Sequence, residues 1–194
     1  YLRVNATERR QLAAMMLERL HVHCEHLSFA IFDNPDDPRL ILAITAKGNP
    51  DYFEDAEAVT DYAPYELKDW KFYNLIPPWN YYALPVGYYY NNIALLIDEI
   101  WFKPIHHPGD PSILAFTIYL KFYKKRQHKL PYLKQAVKEL LYKYLGEKIY
   151  TLDVRYFEIA QLPGKPEKKG LKRFYEMPIY VDWHKTKKLK YSEN

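Results

Sequence analysis

The sequence predicts an α+β fold, with a leading helix and then two strand-strand-helix-strand halves forming one mixed-sheet domain. Three observations predict it. Segments with apolar residues at helical spacing alternate with short runs rich in β-branched and aromatic residues. The order of these elements repeats, at about residues 27–76 and again at 94–160. A chain of 194 residues, 48% hydrophobic and 27% charged, suits a single globular domain spanning 1–194, or two small halves sharing one core.

Each element has a local reason. In NATERRQLAAMMLERLHVHC, Asn5 or Thr7 can cap a helix, and Glu8 is placed to close a capping box on Asn5. Leu12, Met16, Leu17 and Leu20 predict its buried stripe. LSFAIF (27–32) and RLILAITA (39–46) flank the turn-forming DNPDDP and read as a hairpin. Asn49-Pro50 opens a second helix, with Asp51, Glu54 and Asp55 near its positive end. Phe53, Ala56, Val59 and Ala63 give it a buried face, and Pro64 stops it. WKFYNLI (70–76) follows as a strand.

The pattern then breaks. PPWNYYALPVGYYYNN (77–92) holds three prolines, one glycine and six aromatics with no clear period, and reads as a long loop. Beyond it, ALLIDEIWFK (94–103) and ILAFTIYLKFY (113–123) read as strands around the turn PIHHPGDP. KLPYLKQAVKELLYKYLG is the clearest helix: Leu133, Ala136, Val137, Leu140, Leu141 and Tyr144 lie on one face, and Gly146 fits the left-handed position after it. IYTLDVRYFEIAQL (149–162) reads as one long strand, with Tyr150, Leu152, Val154, Tyr156 and Glu158 on one side. The basic loop PGKPEKKG leads to FYEMPIYVDWHK and a lysine-rich tail.

Composition narrows the function classes. The longest apolar runs, such as IALLI (93–97), are too short to span a bilayer, so no membrane is expected. A single cysteine cannot form an internal disulfide, and the cytoplasm is the expected location. The chain opens at Tyr1 without methionine or an apolar leader, so further residues upstream are expected. Charge is uneven: residues 1–97 carry 8 Lys/Arg against 13 Asp/Glu, and residues 98–194 carry 20 against 11. The lysines of the basic half alternate with apolar residues along periodic segments, as on a solvated face.

LILAITAKGN (40–49), then a helix, then APYELKDWKFYNLIPP (63–78) resembles the pattern of a family of uncharacterised bacterial proteins. LGEKIYTLDVRYFEI (145–159) and MPIYVDWHK (177–185) resemble that family's second half. The resemblance spans residues 27–185 and rests on helix starts and stops. It implies an α+β domain of unknown function and brings no catalytic residue with it.

Chemistry-bearing clusters are few. HVHCEH (21–26) packs three histidines, the only cysteine and a glutamate into six positions. His21 with Cys24 or Glu25, or His23 with His26, meets the helical ligand spacing. The segment falls where a helix should give way to a strand, and histidines suit a helix C-terminus, so no metal or other cofactor is expected. His106 and His107 sit in a turn. There is no GxSxG, no P-loop and no glycine-rich phosphate cradle. Asp98 and Glu99, like Asp153 and Glu158, alternate to opposite faces of predicted strands. The basic stretches 121–129, 165–170 and 184–190 match no nucleic-acid module, and nucleic acid ranks third among partners.

The aromatic loop remains. Trp79, Asn80, Tyr81, Tyr82, Tyr88, Tyr89 and Tyr90 combine rigid aromatic anchors with adaptable amides, the composition of a recognition surface. The sequence therefore predicts a non-enzymatic module that binds a protein partner through residues 77–92. The runner-up is a small-molecule or carbohydrate pocket between the halves, with or without catalysis.

Overall fold

The computed structural model describes residues 5–34, 37–63, 67–79, 87–107, 110 and 113–192. The protein is α+β and begins with a helix, as the sequence predicts. It divides into two compact units. The first runs to Pro78 and includes Gly146–Lys148; the second comprises Trp79–Leu145 and the chain from Ile149 onward.

In the first unit, α1 (Ala6–His23) starts on a complete capping box. The Asn5 side chain accepts from the Thr7 and Glu8 amides, and the Glu8 carboxylate accepts from the Asn5 amide, each at 3.0 Å. The stripe predicted for α1 needs correction, because Leu12 and Met16 are 41% and 36% exposed and Leu20 is the buried residue of the helix. Its inward arc runs through Ala13, Leu17, Leu20 and Cys24, rotated away from Leu12. β1 (Ser28–Asn34) and β2 (Asp37–Thr45) form the expected antiparallel hairpin. The Asn49 side chain accepts from the Asp51 amide and caps a 3-10 turn, Pro50–Tyr52, which leads into α2 (Phe53–Asp61). β3 (Trp70–Asn74) then returns parallel to β2. Pro64, expected to stop α2, lies outside the described residues. Leu20, Leu27, Ile44, Ala46, Phe53, Ala56 and Leu75 make the core.

A carboxylate fastens the ends of β2 and β3. Past β2, Lys47 and Gly48 both have positive φ (55° and 78°), and past β3 so does Leu75 (66°). Left-handed backbone is strained for leucine, by about 1–2 kcal/mol. Burial of its side chain and a 2.8 Å bond from its amide to the Ile44 carbonyl hold it there. These turns aim two amides at Glu147, which is fully buried: Gly48 donates to Oε1 at 2.8 Å and Ile76 to Oε2 at 3.1 Å. The Glu147 amide donates back to the Ile76 carbonyl at 2.8 Å. Gly146, with φ of 78°, makes room: a Cβ there would meet Pro78 at 2.8 Å.

The second unit repeats the connection of the first. β6 (Ile100–Pro104) and β7 (Leu114–Leu120) are antiparallel, α3 (Leu130–Leu145) follows, and β8 (Val154–Gln161) pairs parallel to β7. β9 (Lys172–Arg173) adds an antiparallel edge to β6, and α5 (Met177–Ser192) closes the chain. The six positions predicted for the buried face of α3 are all buried. Among the described residues, strands are shared among three sheets, and mixed pairing occurs in two of them, β1-β2-β3 and β8-β7-β6-β9.

Three sequence expectations change in this unit. Residues 87–90 are not loop: β4 (Gly87–Tyr90) pairs antiparallel with β5 (Ile93–Leu96). Asn91 and Asn92 turn the chain with φ of 43° and 63°, the pair of positive values that a type I′ hairpin requires. The strand expected at 94–103 is interrupted by a 3-10 turn at Ile97–Glu99. The strand expected from 149 begins only at Val154, because Glu147–Asp153 form a helix, α4. Glu147, tied at its amide and carboxylate, sets that helical start against the β-propensity of Ile149, Tyr150 and Thr151.

Candidate functional site

The hairpin β4–β5 sorts the predicted aromatic residues onto two sides. Register places Tyr88 opposite Leu95 and Tyr90 opposite Ile93, and this side packs on the core of the second unit. Tyr89 stands opposite Ala94 on the other side and is 72% exposed. The small methyl of Ala94 leaves the phenol ring uncovered, while the buried neighbours hold the strand rigid.

On the inward side, Trp79 meets Tyr88 edge to face with centroids 6.4 Å apart. The Lys143 ammonium lies over both rings, at 4.9 Å from Trp79 and 5.3 Å from Tyr88. Burial, then the nearby charge of Glu139, raises the Tyr88 phenol above its ordinary range, and the same two causes act on Tyr150. Both phenols therefore stay protonated at neutral pH and can donate. Lys143 and Glu139 carry no site signal of their own in the sequence, although α3 periodicity places both on the flank of its buried stripe.

On the outward side, Ala94, the cross-strand neighbour of Tyr89, lines a depression. Ala94, Leu96, Leu120, Phe122 and Leu133 line it, with Glu99 and Lys121 at its edge. Phe122 is 41% exposed, and the ammonium groups of Lys121 and Lys125 sit 5.4 and 5.9 Å from its ring centre. Lys121 is bridged to Glu99 at 2.7 Å; Lys125 is exposed. An apolar floor, an aromatic anchor and a basic rim can hold an apolar side chain flanked by carboxylates.

Comparison with known proteins finds no match: no family model, curated protein or solved structure aligns with this chain.

The remaining sequence candidates are placed as follows. Trp79, Tyr88 and Tyr90 are half-buried, Tyr89 is exposed, and Asn80, Tyr81 and Tyr82 lie outside the described residues. Of the predicted surface, only Tyr89 among the described residues faces outward from the hairpin. HVHCEH is a helix end running toward a strand, as its position predicts: α1 stops at His23 and β1 starts at Ser28. His21 Nε2 lies 3.2 Å from the Leu27 carbonyl, and His26 stacks on Tyr52 with centroids 4.1 Å apart. Among the described residues, no three His, Cys, Asp or Glu side chains converge as a metal site would need. His106 and His107 are exposed on an irregular segment. Asp98 and Glu99 fall in the 3-10 turn, and Asp153 is bridged to Lys185 at 2.6 Å. No helix among the described residues is long and apolar enough to cross a membrane.

Proposed function

We propose that the protein is a binding module for a protein partner and that the outward side of the β4–β5 hairpin is its contact surface. Tyr89 is the anchor, the depression beside Ala94 and Phe122 takes an apolar side chain, and Lys121 and Lys125 favour carboxylates next to it. The observation that carries this reading is a 72% exposed tyrosine at the middle of a strand whose two neighbours are packed into a core. A large ring held on a rigid strand loses little conformational freedom when a partner covers it.

A photo-crosslinking amino acid at position 89, in the full chain and in nuclease-treated host lysate, tests the reading. A discrete protein adduct is expected, and Lys125→Glu should abolish it. With the purified partner, Tyr89→Ala should weaken binding about 10–100-fold, as hot-spot truncations do. Thermal unfolding of Tyr89→Ala should stay within about 0.5 kcal/mol of the parent, because the ring is exposed. No adduct at 89, or the same adducts from a crosslinker at Tyr132, an exposed tyrosine on α3, would remove this reading.

A further inference from the structure

Helix α1 carries apolar side chains on two opposite sides, and among the described residues only one of them is covered. Leu20 belongs to the core of the first unit and Cys24 packs against it, with Ala13 and Leu17 half-buried at the same helical phase. On the other side, Leu12 is 41% exposed, Met15 62% and Val22 81%. A helix that is apolar on two sides gains burial energy when a second partner covers the outer one.

The outward residues follow a seam. Glu8, Leu12, Met15, Arg19 and Val22 recur at alternating spacings of four and three, the period of two helices packed side by side. Their charges are self-complementary in one orientation only. If a second copy of α1 runs antiparallel with Leu12 level with Met15′, the same register puts Glu8 level with Arg19′, and symmetry supplies both contacts twice. A parallel pair would set Glu8 against Glu8′ and Arg19 against Arg19′. Glu8 gives one oxygen, Oε2, to the cap of α1, so Oε1 can meet the guanidinium.

We infer that α1 is a self-association surface, on which a second copy of this chain docks antiparallel about a two-fold axis at residues 13 and 14. The interface is isologous, so one seam serves both subunits. A four-residue apolar centre, Leu12 and Met15 from each copy, is closed at each end by a Glu8–Arg19′ pair. Register therefore comes from the charges and attraction from the methyl and thioether groups.

The test is a charge exchange in the full chain, read by sedimentation across a concentration series with helicity checked by circular dichroism. Wild-type protein should dimerise. Arg19→Glu alone sets two carboxylates against each other at both ends of the seam, and Glu8→Arg alone sets two guanidinium groups there. Each should weaken the dimer about tenfold or more. Mixing the two variants should restore association as a heterodimer, because both end pairs are then opposite in sign. The double variant E8R/R19E should dimerise on its own. Loss of the Glu8 cap cannot mimic this pattern, since mixing does not repair a cap. A protein that stays monomeric up to about 1 mM, where even about 4 kcal/mol of association registers, overturns the inference. So does a wild-type dimer that Arg19→Glu leaves intact, or variants that fail to recover on mixing.

Discussion

In the first unit, a hairpin, a nine-residue helix and a parallel third strand accompany a contiguous core of seven buried apolar residues among those described. In the second, the same connection uses a sixteen-residue helix, with β4, β5 and α5 added around it, and the contiguous core holds eighteen among the described residues. Fully burying one Leu or Phe contributes about 1.5–3 kcal/mol, so identical topology leaves the two units with very different apolar support. The smaller core is supplemented by polar closure: Glu147 satisfies two amides at the ends of β2 and β3, one of them displayed by a strained leucine. Topology settles how strands connect, and helix length with added cover settles how much of the hold comes from burial.

The sharpest way to break this comparison is a cavity in the larger core. Leu140 is fully buried in the centre of α3. Leu140→Ala should cost about 3–5 kcal/mol, the sum of lost transfer energy and a cavity that close packing cannot fill. Chemical denaturation measures it, and hydrogen exchange should show the loss of protection in α3 and β7. A cost below about 1 kcal/mol would mean that the second unit does not rest on this core.

The legible parts of the fold are those where a local pattern and the tertiary structure agree. All six predicted positions of α3 are buried, and Asn5, Glu8 and Asn49 cap as their spacing predicts. The hairpin at 87–96 is missed by the loop reading of 77–92, although Asn91-Asn92 between two strand-like runs carries a turn signal. The surrounding prolines and tyrosines masked it, and with it the alternation that separates Tyr89 from Tyr88 and Tyr90. Helix α4 was not legible: its start depends on amides 71 and 99 positions away in sequence. Leu12 and Met16 of α1 read as core by periodicity and are exposed, since spacing shows that a face is apolar and not what covers it.

A smaller effect sharpens the polar side of the comparison. Glu147→Gln keeps the shape of the side chain but turns an NH2 group toward one of the two amides that now donate to a carboxylate. One buried donor is left unpaired, which costs about 1–3 kcal/mol. The local reading is more specific than the global one: the Gly48 and Ile76 amides should exchange faster, while Leu40 and Trp70, at the far end of the β2–β3 pairing, keep their protection. If Gly48 and Ile76 exchange as before, the carboxylate does not secure the strand ends.

The smallest effect comes from the next residue along. Lys148 forms an ion pair with Glu57 at 2.8 Å, and the two side chains are 60% and 36% exposed. In water of high dielectric constant such a pair gains little over its two hydrated ions, and ordering both chains offsets part of that gain. Lys148→Ala should therefore change stability by about 0.5 kcal/mol or less. Salt separates the neighbours further. Screening at about 1 M reaches only about 3 Å and removes most of the exposed attraction, so parent and Lys148→Ala should converge as salt rises. The amide bonds to buried Glu147 lie out of reach of counterions, and the deficit of Glu147→Gln should persist. A Lys148→Ala deficit as large and as salt-resistant as that of Glu147→Gln would mean that the ion pair, and not the buried carboxylate, closes the first unit.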